Sequence, residues 1–121
     1  MDFIGIGIDI TEIDRIGKLC KNTKFVSRFF SEEENRLFES KGKNMIQTVA
    51  ANFAAKEAFS KAIGRGIRGF SLKDISVLRN EKGKPYIKLN NFKEYDNIIF
   101  EVSLTHTDTT AAAVVVAFKN Q

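Results

Sequence analysis

Cysteine, proline and histidine are scarce in this sequence: each occurs once among 121 residues, and tryptophan is absent. A single cysteine excludes an internal disulfide and a cysteine-based zinc site, so the sequence is typical of a cytosolic protein. The longest clean apolar run, from Ala111 to Phe118, is too short to cross a bilayer, so no membrane segment is expected. The first ten residues contain neither a basic segment nor a small-residue cleavage site, which argues against a signal peptide.

The composition is that of an ordinary globular domain. Hydrophobic residues make up 43% of the chain and charged residues 28%, which argues against intrinsic disorder. A chain of this length buries roughly two-thirds of the surface that it exposes when unfolded, so it can form a core without disulfides. No internal repeat, low-complexity tract or linker interrupts the sequence. We therefore expect a single domain over residues 1–121.

The charge is modestly positive and unevenly distributed. Nineteen Lys and Arg against fifteen Asp and Glu give a net charge of +4. One stretch holds five basic residues and no acidic one: Arg15, Lys18, Lys21, Lys24 and Arg28. Such a patch is either a solvated helix face or a surface that meets an acidic partner, and composition alone leaves both open.

The N-terminal segment predicts a strand with two unlike faces. Isoleucine occupies every second position from Ile4 to Ile10, and this face is predicted to lie in the core. The opposite face carries Gly5, Gly7 and then Asp9. Glycines in a strand indicate close approach of a ligand or of another backbone, so Asp9 is either a site residue or a cap for the following helix.

The middle of the chain is predicted to be helical. Helical spacing begins at Thr11, and a short amphipathic segment follows from Lys24 to Phe30. Ser31 and Glu34 form a capping-box pattern, which predicts a helix from there to about Lys41. The longest predicted helix runs over residues 45–63 and ends at Gly64.

This long helix carries little charge on an otherwise apolar surface. Glu57 and Lys61 are four residues apart and share a face, with Ser60 beside them. A carboxylate in apolar surroundings has to be paired, protonated or bound to a metal. The pair is therefore either an ordinary helical ion pair or part of a site.

The C-terminal half predicts strands. Asn80 to Gly83 is a hairpin turn between two apolar segments, and two further strands meet near Thr107–Thr109. The order of one strand, several helices and four strands indicates an α+β fold with a small, mainly antiparallel sheet packed against the helices. The glycine-rich loop that begins Gly64-Arg65-Gly66 is a weak candidate for phosphate binding. His106 is expected at a strand end, as a surface residue.

Asp9 and Glu57 together suggest chemistry on phosphate. Two carboxylates, phosphate oxygens and waters make a typical Mg²⁺ site. Lys61 could then neutralise charge on a phosphoryl group, since positioning and electrostatics do most of the work of phosphoryl transfer. Spacing in the sequence does not by itself bring Asp9 and Glu57 together.

Four motifs resemble those of the holo-acyl-carrier-protein synthases, within the 4′-phosphopantetheinyl transferase superfamily. The first is Gly7-Ile8-Asp9-Ile10 with the following residues 11–16. The second, highly specific, is the F-A-A-K-E-A-x-x-K-A signature at residues 53–62. Gly83-Lys84-Pro85 resembles the third motif, and Ser103-Leu104-Thr105-His106-Thr107 resembles the fourth. The motifs occur in order and span nearly the whole chain.

The resemblance implies the fold of that superfamily and a reaction. A serine hydroxyl of an acyl carrier protein attacks the β-phosphate of coenzyme A, the phosphopantetheine arm moves to the serine, and adenosine 3′,5′-bisphosphate leaves. By the match, Asp9 and Glu57 hold Mg²⁺, with Mn²⁺ as a possible substitute. Glu57 also helps to deprotonate the serine, directly or through a water, and Lys61 stabilises the transferring phosphate.

The resemblance also assigns binding surfaces. The coenzyme A contacts implied are Ser60, Gly64, Gly83, Lys84, Pro85 and His106. Arg15, Lys24 and Arg28 are implied to contact the acidic carrier protein, where complementary charge would mainly speed encounter. The family is homotrimeric, with each active site between two neighbouring subunits.

The sequence departs from the family pattern before the second motif. Many members carry an arginine where this chain has Asn52, so another cation is needed for the coenzyme A phosphates. Lys41, Lys43 and Arg65 are the candidates, the last replacing the threonine of a common G-T-G loop.

Two other functions use the same features. A small nucleic-acid-binding module would use the basic stretch, but no helix-turn-helix, zinc or RNA-recognition signature is present, so no nucleic-acid partner is expected. Another magnesium-dependent phosphotransferase or nuclease would use Asp9 and Glu57. Protection by coenzyme A against thermal unfolding would favour the synthase reaction alone.

Overall fold

A computed structural model describes residues 1–64, 71–90 and 93–120 of the chain. The described residues form five strands and four α-helices, with short 3₁₀ turns at Gly42–Asn44, Leu72–Asp74 and Lys93–Tyr95. In chain order the elements are β1 (Asp2–Glu12), α1 (Ile13–Leu19), α2 (Thr23–Phe29), α3 (Glu32–Glu39), α4 (Met45–Ile63), β2 (Ile75–Arg79), β3 (Pro85–Leu89), β4 (Ile98–His106) and β5 (Thr110–Lys119). The predicted α+β class and the order of strand, helices and four strands are confirmed.

The strands form two antiparallel sheets rather than the one that was predicted. One sheet has three strands in the order β1-β5-β4, and the other is the β2–β3 hairpin. In the larger sheet Asp9 pairs with Ala113, and Ala113 pairs with Leu104 on its other side. The central strand β5 therefore joins the N-terminal strand to the strand that ends at His106.

Helix α4 packs on the face of β1 that carries the glycines. A Cβ atom added at Gly5 would overlap the carbonyl oxygen of Ala62, and one added at Gly7 would overlap that of Ala58. The helix contributes alanines to this contact, so two backbones approach more closely than side chains would permit. Gly5 and Gly7 therefore serve the packing of α4 on the sheet.

The prediction that the isoleucine face of β1 lies in the core is wrong. Ile6, Ile8 and Ile10 are 58%, 64% and 68% exposed. The face is inverted because the glycine face alone is flat enough to accept α4, and the period of two then directs every isoleucine outward. Register places apolar residues of β5 beside them, and together they form the outer sheet face: Ile4, Ile6, Ile8, Ile10, Ala112, Val114, Val116 and Phe118.

Local signals in the helical region are mostly confirmed. Ser31 and Glu34 form the predicted capping box, and Gly64 ends α4 with a positive φ of 74°. Helix α1 begins at Ile13 rather than at Thr11, because Thr11 is buried and continues the pairing of β1 with Ala111. Helix α3 ends at Glu39, two residues earlier than predicted. None of the described helices is long and apolar enough to span a membrane.

Candidate functional site

Strand β1 and helix α4 bring Asp9 and Lys61 together. Asp9 follows the two glycines on the face against which α4 packs, so its carboxylate lies beside the last turns of that helix. The Lys61 ammonium donates to the carbonyl oxygen of Ile8 at 3.0 Å and lies 3.4 Å from Asp9 Oδ1. Thr11 Oγ1 donates to Asp9 Oδ2 at 3.1 Å. Both oxygens of Asp9 thus have a donor nearby.

Glu57 completes this carboxylate site on the neighbouring turn of α4. Partial burial raises the pKa of the Glu57 carboxyl, and the nearby charge of Asp9 raises it further. Lys61 and Arg15 oppose this rise because their positive charges favour the ionised carboxylate. The structure therefore brings Asp9, Glu57 and Lys61 close together, which spacing in the sequence alone does not show. We call these three residues the carboxylate site.

The carboxylate site fits a hard divalent cation. The charge of Asp9 adds to burial in raising the pKa of the Glu57 carboxyl, so the two carboxylates repel one another. A bound cation would relieve this repulsion, and oxygen is the ligand that Mg²⁺ prefers. No group of three or more His, Cys, Asp or Glu that could hold a metal occurs among the described residues. The remaining ligands would have to come from water and substrate, as is usual for Mg²⁺.

Lys56, the neighbour of Glu57, belongs to a different region. Its ammonium is fully buried and forms a salt bridge with Glu34, while also donating to the carbonyl oxygens of Phe29 and Leu72. Burial raises the pKa of Glu34 and lowers that of Lys56, and their mutual attraction opposes both shifts. Asn52 donates to Glu34 Oε2 at 2.9 Å. Glu34, Asn52 and Lys56 form the buried polar cluster.

A cavity of about 320 Å³ lies on the other side of α4. It brings together Gly83, Pro85 and His106, which the resemblance assigned to coenzyme A, and Lys41, a candidate for the missing cation. Further lining residues were not predicted: Asn44, Gln47, Thr48, Ala51, Arg79, Leu104 and Thr105. We call this space the basic cavity, because its described lining contains Lys41, Arg79 and His106 and no acidic residue.

Helix α4 separates the basic cavity from the carboxylate site. Thr48 lines the cavity, and Glu57 lies nine residues further along the same helix. At 3.6 residues per turn this is about two and a half turns, so the two side chains project from opposite sides of α4. In one chain the two regions thus face different directions.

Other residues assigned to coenzyme A lie elsewhere. Lys43 lines a separate depression with Asp14 and Lys18. Lys84 lies 3.5 Å from Glu101 across the surface. The hydroxyl of Ser60 is buried and donates to the carbonyl oxygen of Lys56 at 3.2 Å. Gly64 caps α4, and Arg65 lies outside the described residues.

Arg15, the first residue of the predicted basic surface, lies near the carboxylate site, where its charge acts on Glu57. Arg15 projects from α1, directly after β1, and its guanidinium lies 6.0 Å from the centre of the Phe53 ring. Lys24 and Arg28 are exposed on α2. A partner that contacts these residues would approach Glu57 from the side of α1.

Comparison with known proteins identifies the family to which the chain belongs. A sequence profile described as the 4′-phosphopantetheinyl transferase superfamily matches residues 5–117. The holo-[acyl-carrier-protein] synthase of Alkaliphilus oremlandii is 48% identical over 119 residues, covering 93% of this chain and 97% of that protein.

Solved structures of the same group share the fold. The holo-(acyl-carrier-protein) synthase of Bacillus anthracis, in complex with CoA (3′,5′-ADP), is 37% identical with a TM-score of 0.86, covering 99% of this chain and 100% of that one. The Helicobacter pylori holo-[acyl-carrier-protein] synthase, in complex with coenzyme A, is 40% identical with a TM-score of 0.81, covering 93% and 98%. Profile, relatives and fold agree, and the chain belongs to the holo-[acyl-carrier-protein] synthases of the 4′-phosphopantetheinyl transferase superfamily.

Proposed function

We propose that this protein transfers the 4′-phosphopantetheine arm of coenzyme A to a serine hydroxyl of an apo acyl carrier protein. Adenosine 3′,5′-bisphosphate is the second product. The observation that carries the proposal is the meeting of Asp9, Glu57 and Lys61 between β1 and α4. The names of the similar enzymes, and the coenzyme A bound in two of their structures, support the choice of substrates. The predicted cytoplasmic location belongs to the same proposal and stays a prediction.

Asp9 and Glu57 are proposed to hold Mg²⁺, with Mn²⁺ as the expected substitute. When bound, the metal would supply positive charge to the diphosphate of coenzyme A. The fit rests on the two neighbouring carboxylates and on the raised pKa of Glu57, which burial causes first and the charge of Asp9 second. Removal of the metal with EDTA is expected to abolish transfer.

The protein side chains then share the remaining chemistry. The serine oxygen forms a bond to the β-phosphorus, and the bond from that phosphorus to the bridging oxygen breaks, so the leaving group carries that oxygen away. Glu57 is proposed to take the serine proton, since a carboxylate with a raised pKa is a better base than an ordinary one. Lys61 lies 3.4 Å from Asp9 and is exposed, so its charge is available to the transferring phosphate.

The basic cavity is proposed to hold the nucleotide end of coenzyme A. Its three basic side chains and its lack of acidic residues in the described lining suit a phosphate. Gly83 and Pro85 border it at the hairpin between β2 and β3, which forms one of its walls. The family assignment of His106 to this region is consistent with its place on the wall formed by β4.

A homotrimer with shared sites is part of the proposal. The carboxylate site and the basic cavity lie on opposite sides of α4, so one coenzyme A molecule reaches both most directly if a second chain supplies one of them. The outer sheet face supports the association, because isoleucines that are 58–68% exposed gain stability when a partner covers them. Light scattering is expected to give three times the chain mass of 13.6 kDa. A stable, active monomer would exclude shared sites.

The test of the reaction is a mass measurement on the acceptor. The protein is incubated with coenzyme A, Mg²⁺ and apo acyl carrier protein, and the carrier is weighed intact. We expect a gain of one phosphopantetheine arm, which disappears with EDTA and with Glu57→Gln. The exposed surface residue Glu39, changed to Gln, is the matched control and should retain transfer. No gain with several folded carrier proteins would contradict the proposal.

A further inference from the structure

Arg79 is a basic residue of the basic cavity whose side chain is oriented by hydrogen bonds to a neighbouring side chain and to the backbone. It lies at the end of β2, and its Nη2 donates to Asn52 Oδ1 at 2.9 Å. Its Nη1 donates to the carbonyl oxygens of Val77 and Leu78 at 3.5 and 3.3 Å. These contacts orient the guanidinium while it lines the cavity. No sequence motif singled this residue out.

Asn52 is itself held firmly enough to orient another side chain. It is fully buried on α4, and both hydrogen bonds of its Nδ2 are used, to Glu34 Oε2 and to the carbonyl oxygen of Val77, each at 2.9 Å. An amide has two donors on nitrogen and acceptor capacity on oxygen only. With both donors engaged, the oxygen faces Arg79. The buried polar cluster thus extends to the wall of the cavity.

The contacts of Arg79 orient its charge without neutralising it. Asn52 is uncharged, and the other acceptors named above are backbone carbonyls. Glu34 is the acidic residue whose charge acts on Arg79, but Glu34 already accepts from Lys56, Asn52, Ser31 and Val77. Burial lowers the pKa of Arg79, and the charge of Glu34 opposes this shift. A half-buried guanidinium whose hydrogen-bond acceptors named above are all uncharged favours binding of an anion.

We propose that Arg79, positioned by Asn52, binds the ribose 3′-phosphate of coenzyme A and makes the enzyme select coenzyme A over its 3′-dephospho form. This inference rests on the proposed function. The diphosphate has to lie at the carboxylate site, where the bond breaks. The basic cavity has no acidic residue in its described lining to hold a metal, so the anion bound there meets cationic side chains directly. A phosphate monoester matches the planar fork of an arginine. Asn52 is the positioning residue, and Arg79 contacts the substrate.

The test compares two substrates in one set of variants. Wild-type protein, Arg79→Lys and Arg79→Gln are assayed for transfer from coenzyme A and from 3′-dephospho-coenzyme A to the same apo carrier. Arg79→Gln is expected to raise KM for coenzyme A roughly ten- to a hundredfold, since a charged hydrogen bond is lost, and to change KM for the dephospho form less than twofold. Arg79→Lys keeps the positive charge but not the planar guanidinium. Its KM for coenzyme A is expected to lie between those of wild type and Arg79→Gln.

Asn52→Ala separates positioning from stability. This change also removes hydrogen bonds to Glu34 and Val77, so the protein is expected to melt at a lower temperature. The quantity to compare is therefore the ratio of kcat/KM for the two substrates. The ratio is expected to fall in Asn52→Ala and to fall no further when Asn52→Ala is added to Arg79→Gln. Lys88→Gln is the matched control, because Lys88 lies on the same hairpin and is paired on the surface with Glu33 at 2.9 Å. Its ratio should equal that of wild type.

The outcomes distinguish this inference from the proposed function. Equal losses on both substrates in Arg79→Gln overturn the role of Arg79. So does a wild-type protein that transfers from coenzyme A and from its dephospho form with equal kcat/KM. An additional fall of the ratio when Asn52→Ala is added to Arg79→Gln overturns the positioning role of Asn52. A wild-type protein that modifies no carrier from either substrate overturns the proposed function instead.

Discussion

Lys56 and Glu57 are neighbours in the sequence, yet they belong to two charged regions of opposite character. Lys56 points into the buried polar cluster, where it donates to Glu34 and to two backbone carbonyls. Glu57 points the other way, into the carboxylate site, where the charge of Asp9 opposes its ionisation. No buried side-chain nitrogen or oxygen among the described residues lacks a hydrogen-bond partner.

Neighbouring residues of one motif thus serve structure in one case and chemistry in the other. The buried polar cluster has a donor for each acceptor, and removing one partner would leave an uncompensated buried charge. In the carboxylate site, two acids lie close together and repel one another, an arrangement that favours a bound cation. The rest of the fold therefore has to hold the carboxylate site together against the repulsion between Asp9 and Glu57.

Glu57→Gln should have the largest effect, and on activity alone. The change removes the proposed base and one metal ligand, so transfer is expected to fall at least 10²- to 10⁴-fold, roughly the range for loss of general base catalysis. The melting temperature measured without metal should not fall, because the repulsion from Asp9 disappears with the charge. Both quantities are compared with Glu39→Gln. A Glu57→Gln protein with a lower melting temperature would show that Glu57 stabilises the fold, as the buried polar cluster does.

Lys56→Met should lower the stability of the fold and leave the chemistry intact, the reverse of Glu57→Gln. It leaves Glu34 buried and without its cation, which is expected to cost about 3–5 kcal/mol of unfolding free energy. Urea denaturation measures this cost, with Lys73→Met as the exposed control. The folded fraction should retain transfer when coenzyme A is saturating. An undiminished stability would show that the buried pair contributes nothing beyond its packing.

Arg28→Glu tests the surface through which the carrier protein is expected to approach. Arg28 is chosen over Arg15 because Arg15 also acts on the charge of Glu57. Reversing one charge is expected to lower kcat/KM for the carrier about tenfold at low salt and less at high salt, while KM for coenzyme A stays constant. Lys82→Glu on the tip of the β2–β3 hairpin is the control. A parallel change in KM for coenzyme A would mean that the two surfaces overlap.

The smallest effect concerns stability and pH in EDTA. The pKa of Glu57 is raised in the folded protein, so the folded protein holds this proton more tightly than the unfolded chain does. Its favourable contribution is present in acid and is lost as the pH rises through the raised pKa. Glu57→Gln stays neutral, so its stability relative to wild type should increase from acid to neutral pH and then level off. Unfolding curves at several pH values, with Glu39→Gln beside them, measure this. If the stability of Glu57→Gln relative to wild type is instead greatest in acid, the predicted direction of the pH dependence is wrong.

The sequence predicted elements and motifs well where the signal was local. The capping box of α3, the glycine end of α4 and the hairpin at residues 80–83 each depend on a few adjacent residues, and all three are present. The face of β1 was predicted wrongly because alternation gives two faces without saying which is buried. The glycines decided the outcome through contact with Ala58 and Ala62, which are more than fifty residues away.

The site could be predicted only in part for the same reason. Asp9, Glu57 and Lys61 lie in recognisable motifs, so the resemblance joined residues that spacing could not. Arg79 lies in no motif, and its contact with Asn52 joins residues that are 27 positions apart in the sequence. Its place in the basic cavity follows from the packing of β2 against α4, which no local pattern describes.

Mixed oligomers test most directly the claim that α4 separates two halves of different active sites. Glu57→Gln chains and Lys41→Gln/Arg79→Gln chains are co-expressed with different tags and purified in tandem, so that each trimer contains both. If one chain supplies the carboxylate site and its neighbour the basic cavity, one site in three regains both intact halves, and transfer at limiting coenzyme A should recover to about a third of wild type. Activity no greater than that of the two parent variants would show that each chain uses its own two halves, and would contradict the account.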